Sequence, residues 1–206
     1  AVLRSCLCAV QKSAPSKTEH FYGIMEQETE RMTLLIQDML LLANADNHSW
    51  TVSMAPTELD TLLLDIYEKY EPLSKEKNKQ LCIQLPELSC PPYKCDKNRI
   101  QQVLSIFIDN ALSYTPDGSK ITLLLKQTKE YFILSVADNG PGIPPEEKEV
   151  VFQRFYRSDQ SRHKKGHYGL GLSIALEIAR LHHGSLKLSD TPGGGATFTL
   201  LLPFVK

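Results

Sequence analysis

No run of about 18 apolar residues occurs in these 206 residues, so the sequence holds no membrane-spanning helix. It also lacks the charged, apolar and small-residue succession of a secretory leader. Neither sign of charge is in excess. Twenty-three Lys and Arg stand against 24 Asp and Glu, a net charge of −1, which excludes a strongly basic nucleic-acid-binding protein. Cysteine is scarce and odd in number: Cys6, Cys8, Cys82, Cys90 and Cys95. That count and scatter exclude a disulfide framework and point to a reducing compartment. Cys90 and Cys95 are spaced too widely for a zinc knuckle, which would want a tighter pair and a second pair elsewhere, so small buried thiols are expected. No internal repeat and no low-complexity tract appears.

What is there reads as globular: 42% apolar and 23% charged residues, enough for one large domain or one ordinary domain plus a smaller element. The chain opens on Ala1 inside an apolar pattern, "AVLRSCLCAV", and the expectation is a piece cut from a longer protein. Residues 18–45 carry helical periodicity. Phe21, Met25, Met32, Leu35, Met39 and Leu42 form an a/d seam, with Glu28 filling one position. A seam that narrow needs a partner. Residues 1–12 repeat Val2, Leu3, Cys6, Ala9 and Val10 at helical spacing, and "KSAPSK" between them reads as a loop broken by Pro15. The expectation is a helical hairpin, half of a dimeric four-helix bundle. "NADNHSW" ends the long helix and places a boundary near residues 50–55, dividing the chain into 1–52 and 53–206.

Beyond it, helices and strands alternate. "TELDTLLLDIYEKYEPLSKEK" is amphipathic, acidic early and basic late, as a helix dipole prefers. "QLCIQL" is a short strand. "DKNRIQQVLSIFIDNALSYT" is a helix with Asp96 as N-cap and Ile100, Val103, Leu104, Phe107, Ile108 and Ala111 on its apolar face. "ITLLLKQ" and "YFILSVAD" form a hairpin, as do "SLKLS" and "ATFTLLLP" around "DTPGGG". The predicted fold class is α+β, in two layers.

Three stretches carry chemistry. Asn110, Ser113 and Tyr114 share one face near the end of their helix. "VADNGPGIPP" ends an apolar strand on Asp138 and follows it with glycines and prolines. "GHYGLGLSIA" brings Gly166, Gly169 and Gly171 to a helix start, where free N–H groups and the dipole favour anions. The last is neither a Walker loop, since no Gly-Lys-Ser/Thr follows, nor a dinucleotide fingerprint, since no strand runs directly into it. Between the second and third stretches lies a basic loop with Arg154, Arg157, Arg162, Lys164 and Lys165 and the anchors Phe152, Phe155 and Tyr156. A basic loop of that length leading to an anion site reads as a phosphate cover.

"DNALSYTPDG", "DNGPGI", "FQRFYR", "GHYGLGL" and "GGGATF" stand in the order, spacing and type of the boxes of bacterial two-component sensor histidine kinases, and the resemblance extends over essentially the whole chain. It implies a two-layer α/β sandwich of Bergerat type, a mixed sheet covered by helices, preceded by the dimerisation hairpin. It implies ATP and Mg²⁺ as cofactors, with Asn110 as the Mg²⁺ ligand, an amide oxygen that suits a hard cation. Asp138 would accept from the adenine amino group, and Gly140 and Gly142 would let the backbone approach the purine. Tyr114, Ile143 and Thr197 would lie at the nucleotide. Gly169, Leu170, Gly171 and Leu172 would lie at the triphosphate, beneath a lid holding Phe155, Tyr156, Arg157 and Lys165, and Gly166 and His167 of the glycine loop would also bind ATP. Partners implied are a response-regulator receiver domain and a second copy joined through the hairpin, with no nucleic acid. The implied location is the cytoplasmic portion of a membrane sensor.

The departures are specific. Ile106 stands where the family usually has a second asparagine, and Ser113 where a basic residue is common. The family's phosphoacceptor box, of the type His-Glu-Leu-Arg-Thr-Pro-Leu, is absent, and none of His20, His48, His163, His182 and His183 has its neighbours. "AVLRSCLCAVQ" resembles the segment that follows that box, so the acceptor is expected upstream of Ala1, and no residue here is assigned as catalytic. A kinase core transferring the γ-phosphoryl of ATP is the first reading. An ATP-binding regulatory module with weak or no kinase activity is the second.

Overall fold

The structure is a computed structural model that describes residues 15–46, 52–157 and 168–204. The chain divides into two compact units, 1–50 and 51–206. The first is described by helix α1, Pro15–Asp46. Pro15 does not break this helix, as the sequence suggested, but opens it. Proline costs nothing in the first turn, where the backbone N–H has no intrahelical acceptor, and its fixed φ suits a helix. The first expected helix, residues 1–12, lies outside the described residues. Along the seam of α1 Leu42 is buried, Phe21, Met25 and Leu35 are half-buried, and Met32 and Met39 are exposed.

The second unit contains β1 (Ala55–Thr57), α2 (Leu59–Glu76), β2 (Gln80–Gln84), β3 (Tyr93–Cys95), α3 (Lys97–Tyr114), β4 (Lys120–Gln127), β5 (Tyr131–Asp138), α4 (Gly171–Leu181), β6 (Ser185–Asp190) and β7 (Ala196–Pro203). Two single-turn 3₁₀ segments, Pro145–Glu147 and Val150–Phe152, lie between β5 and α4. Five strands form one mixed sheet in the order β2-β4-β5-β7-β6. Only β2 and β4 run parallel, joined by a crossover through α3, and the other pairs are antiparallel. The two expected hairpins are present, with Ile121 opposite Asp138 in one and Asp190 opposite Ala196 in the other.

The strands β4 and β7 alternate between buried and half-buried residues, so one face of the sheet packs into the core. The helices cover it with Leu59, Leu62, Leu63, Ile100, Leu104, Phe107 and Ile108, all fully buried. Phe107 of α3 stacks on Phe198 of β7 with ring centroids 5.4 Å apart. Burying each side chain of this size contributes about 1.5–3 kcal/mol. Asp96 caps α3 as expected: its Oδ1 accepts from Arg99 N at 3.2 Å, while Oδ2 accepts from Ser53 N at 2.9 Å.

Two short strands were not legible in the sequence. β1 and β3 pair antiparallel, Ala55 opposite Cys95, in a separate two-stranded ribbon. At three residues each, neither shows a period, so β1 takes Thr57 from the helix expected there and α2 starts at Leu59. Cys90 and Cys95 are buried free thiols, and burial raises the pKa of both. Cys82 is free and half-buried.

Candidate functional site

Asp138 is the last residue of β5 and is buried. Its Oδ1 accepts two backbone N–H groups, from Gly140 at 2.8 Å and from Ala196 at 3.2 Å. Burial raises its pKa, and these two donors act in the opposite direction. The second donor comes from the start of β7, so two separate turns fix one carboxylate. The turn before β7 is held by Gly194 N donating to Thr191 O at 2.9 Å and Thr191 N to Gly195 O at 3.1 Å.

The glycines here are required by the protein's own packing. A Cβ on Gly140 would come within 2.8 Å of Thr115 Cγ2 and 2.9 Å of Asp138 Oδ1. Gly195 has φ +106°, and a side chain there would collide with the backbone of Asp138 and Asn139. Gly142, with φ +77°, sits against Gly195 O. These contacts account for Gly140 and Gly142 without a purine. Thr115, Gly195 and Ala196 shape the site, yet none had a role in the sequence reading. The "YTP" and "GGGA" stretches were their only signal. Thr197 lies opposite Ala137 and shares a 2.8 Å hydroxyl contact with Thr191. Ile143 is half-buried on the loop that follows.

A second cluster gathers around the start of α4. Gly169 has φ +73°, and its missing side chain makes room for the backbone of Phe155 and Tyr156. Phe155 N donates to Gly169 O at 2.9 Å, and Phe155 itself sits at φ +62° and is 58% exposed. Tyr156 and Arg157 are half-buried beside it. The expected lid residues Arg162, Lys164 and Lys165, and the expected ATP-binding residues Gly166 and His167, lie outside the described residues. Leu170 is the N-cap position of α4 and provides no side-chain cap, so the first N–H groups of this helix have no side-chain acceptor from that residue. The Leu170 side chain is buried, whereas Gly171 and Leu172 are half-buried.

Helix α3 joins the clusters. A Cβ on Gly171 would lie 3.2 Å from Ile106 Cγ2, so the start of α4 rests on Ile106. Nine residues on, Thr115 meets Gly140, roughly 14 Å along the axis at 1.5 Å per residue. Asn110 lies one helical turn beyond Ile106, between the two ends, and Ser113 and Tyr114 follow at the same spacing. All three are half-buried. Among the described residues the Asn110 amide makes no hydrogen bond, which leaves its oxygen available to a hard cation. No group of three or more His, Cys, Asp or Glu able to hold a metal occurs among the described residues. The Asn110 amide oxygen is a hard ligand of the kind that would hold Mg²⁺ in company with phosphate oxygens. The neighbouring Asp109 accepts from Tyr70 Oη at 3.3 Å, and burial together with that carboxylate pushes the Tyr70 pKa up to about 12.

A five-stranded mixed sheet covered by helices, with a braced aspartate at one strand end beside the C-terminus of α3 and a glycine-led helix start, without a side-chain cap, resting on the middle of α3, is the α/β sandwich of an ATP-binding domain. The chain belongs to the family described as "Histidine kinase-, DNA gyrase B-, and HSP90-like ATPase", which its residues 95–206 match. Relatives that it resembles include sensor kinases. It is 37% identical over 187 residues to the adaptive-response sensory kinase SasA of Crocosphaera subtropica, covering 90% of this chain and 48% of that protein. It is 33% identical over 208 residues to the sensor histidine kinase WalK of Bacillus subtilis, covering 98% of this chain and 34% of that one. Among solved structures, the catalytic domain of histidine kinase ThkA superposes with TM-score 0.65 at 26% identity, over 74% of this chain and 98% of that one. Full-length ShkA in complex with AMPPNP has the same fold, with TM-score 0.81 at 24% identity, over 94% of this chain and 40% of that one. The chain thus spans half or less of the length of these two curated relatives. No helix among the described residues is long and apolar enough to cross a membrane.

Proposed function

We propose that this chain is the ATP-binding kinase core of a sensor histidine kinase. It positions the γ-phosphoryl group of ATP for transfer to a histidine, from which an aspartate of a response regulator receives it. The observation that carries this reading is the bracing of Asp138. Both of its hydrogen bonds among the described residues fall on Oδ1, which leaves Oδ2 as a fixed acceptor. The amino group of adenine is the complementary donor. The O6 of guanine would set acceptor against acceptor, an unpaired arrangement that costs about 1–3 kcal/mol in a buried site. Tyr114, Ile143 and Thr197 then flank the base. The phosphates run along α3 towards the N–H groups of Gly171 and Leu172, where the dipole favours anions. Gly166, His167, Gly169 and Leu170 form the approach, and Phe155, Tyr156, Arg157 and Lys165 form the cover. Asn110 holds Mg²⁺, which when bound neutralises charge on the phosphates. Transfer then depends on positioning and electrostatic stabilisation.

The residues of α1 supply one side of a dimer formed with a second copy, and the site works as the cytoplasmic part of a membrane-bound sensor. No acceptor box of the family's type occurs in the 206 residues, so the histidine must be presented to this core. A chain carrying such a helix ahead of residue 1, incubated with γ-labelled ATP, is expected to take acid-labile label on the added histidine. Ile106 favours a second reading, an ATP-dependent regulatory module, because its side chain packs against Gly171 where the family usually has an amide. Tight ATP binding with no label on the added histidine would select that reading.

A further inference from the structure

Lys79 lies between α2 and β2, is 9% exposed, and plays no part in the site as described so far. Its Nζ donates to Leu112 O at 2.9 Å and to Thr115 O at 2.7 Å. Leu112 is in the last turn of α3, and Thr115 is its C-cap. A helix leaves its last carbonyls without intrahelical partners and places its negative dipole end there. A buried ammonium satisfies both demands at once, and hydrogen bonds from a charged donor are the strong ones.

The residues on either side of Lys79 grip the same turn. Asn78 O accepts from Gly118 N at 2.7 Å, and Gln80 N donates to Ser119 O at 2.9 Å. The turn 115–120 is held equally firmly on its other side by the loop after β5. Thr115 Cγ2 packs against Gly140, Lys120 N donates to Asn139 Oδ1 at 2.7 Å, and Asn139 N donates to Lys120 O at 3.3 Å. Gly140 N in turn donates to Asp138 Oδ1. A continuous series of contacts therefore runs from Lys79 through the end of α3 to the carboxylate of Asp138.

We propose that Lys79 is a positioning residue for base recognition: its ammonium sets the end of α3, and through Thr115 and Gly140 it fixes where Asp138 presents its acceptor. This rests on the assignment of Asp138 to the adenine. A purely structural lysine would lower the affinity for all nucleotides alike, whereas a residue acting through Asp138 lowers the preference for one base.

The test titrates ATP and GTP separately against the wild-type chain, Lys79→Met, Lys79→Arg and Asp138→Ala, with the amide resonances of Gly140 and Ala196 followed without nucleotide. Lys79→Met is expected to lose roughly two- to thirtyfold in ATP affinity. Its ATP-over-GTP ratio should fall with it, the two amide resonances should shift, and Lys79→Arg should restore much of the ratio. Should Lys79→Met fail to fold, Lys79→Gln, a shorter neutral donor, carries the same comparison. An unchanged ratio in the folded variant, or an equal loss for both nucleotides, overturns the proposal. If Asp138→Ala leaves the ratio of the wild type intact, the adenine assignment itself fails. If Asp138→Ala removes the preference and Lys79→Met does not, only the role of Lys79 fails.

Discussion

The two ends of the site are built in opposite ways. At the Asp138 end the backbone supplies the acceptor's partners: two N–H groups from two turns converge on one carboxylate oxygen, and the glycines are packed against neighbouring protein atoms. At the α4 end the backbone supplies donors: the helix starts without a side-chain cap, beside Phe155 and Gly169, both with positive φ. One end is complete before any ligand arrives. The other carries a left-handed Phe155 and a helix start that Leu170 does not cap, features found where binding completes a structure. On the proposed orientation, base selectivity is built into the fold, while phosphate binding is finished by the nucleotide.

The largest effect is expected where the rigid end is broken directly. Gly195→Ala places a side chain against the backbone of Asp138 at φ +106°. It should destabilise the fold by roughly 1–3 kcal/mol or more, read as a lower urea midpoint, and should weaken ATP binding in the fraction that folds. Next come two variants that separate the ends. Asp138→Ala should cost ATP and ADP about equally, on the order of ten- to a hundredfold, since both carry the same base and the lost bond is to a charged acceptor. Asn110→Ala should weaken the Mg²⁺-dependent part of ATP binding and leave binding in chelator nearly unchanged. Calorimetric titration of each variant, with and without Mg²⁺, gives both comparisons, and equal behaviour of the two variants would remove the distinction between the ends.

The smallest effect lies outside both ends. His182 is buried: its Nε2 accepts from Asp96 N at 3.0 Å, and its Nδ1 donates to Ile178 O at 2.8 Å, which joins the end of α4 to the cap of α3. Burial lowers its pKa below the ordinary value. The unfolded chain binds the proton first, so this contribution to stability is complete above about pH 6.5 and is lost as the pH falls through the lowered folded value. Urea midpoints at pH 7.5 and 5.5 should differ more for the wild type than for His182→Gln.

Much of this was legible beforehand because it is local. Asp96 reads as a cap from its place before an apolar period, and it caps α3. The hairpins β4–β5 and β6–β7 read from turn residues between apolar runs, and they form. Asp138, Gly142 and Gly169 stood out because an acidic residue at a strand end and glycines in sequence are local signals. Pro15 misled, because the same fixed φ that breaks a helix interior also suits its first turn.

The sequence by itself therefore determined most of the elements, since periodicity, capping and turn chemistry act over a few residues, and its motifs carried the family resemblance that implied the class of site. Tertiary structure alone decided what those motifs touch. Gly195 and Ala196 reach Asp138 across 57 and 58 residues of chain, and Lys79 reaches Leu112 and Thr115 across 33 and 36. Such pairs leave no period or spacing in the sequence. They exist because sheet register and helix packing bring distant backbone groups to within hydrogen-bond range, where buried donors and acceptors must find one another.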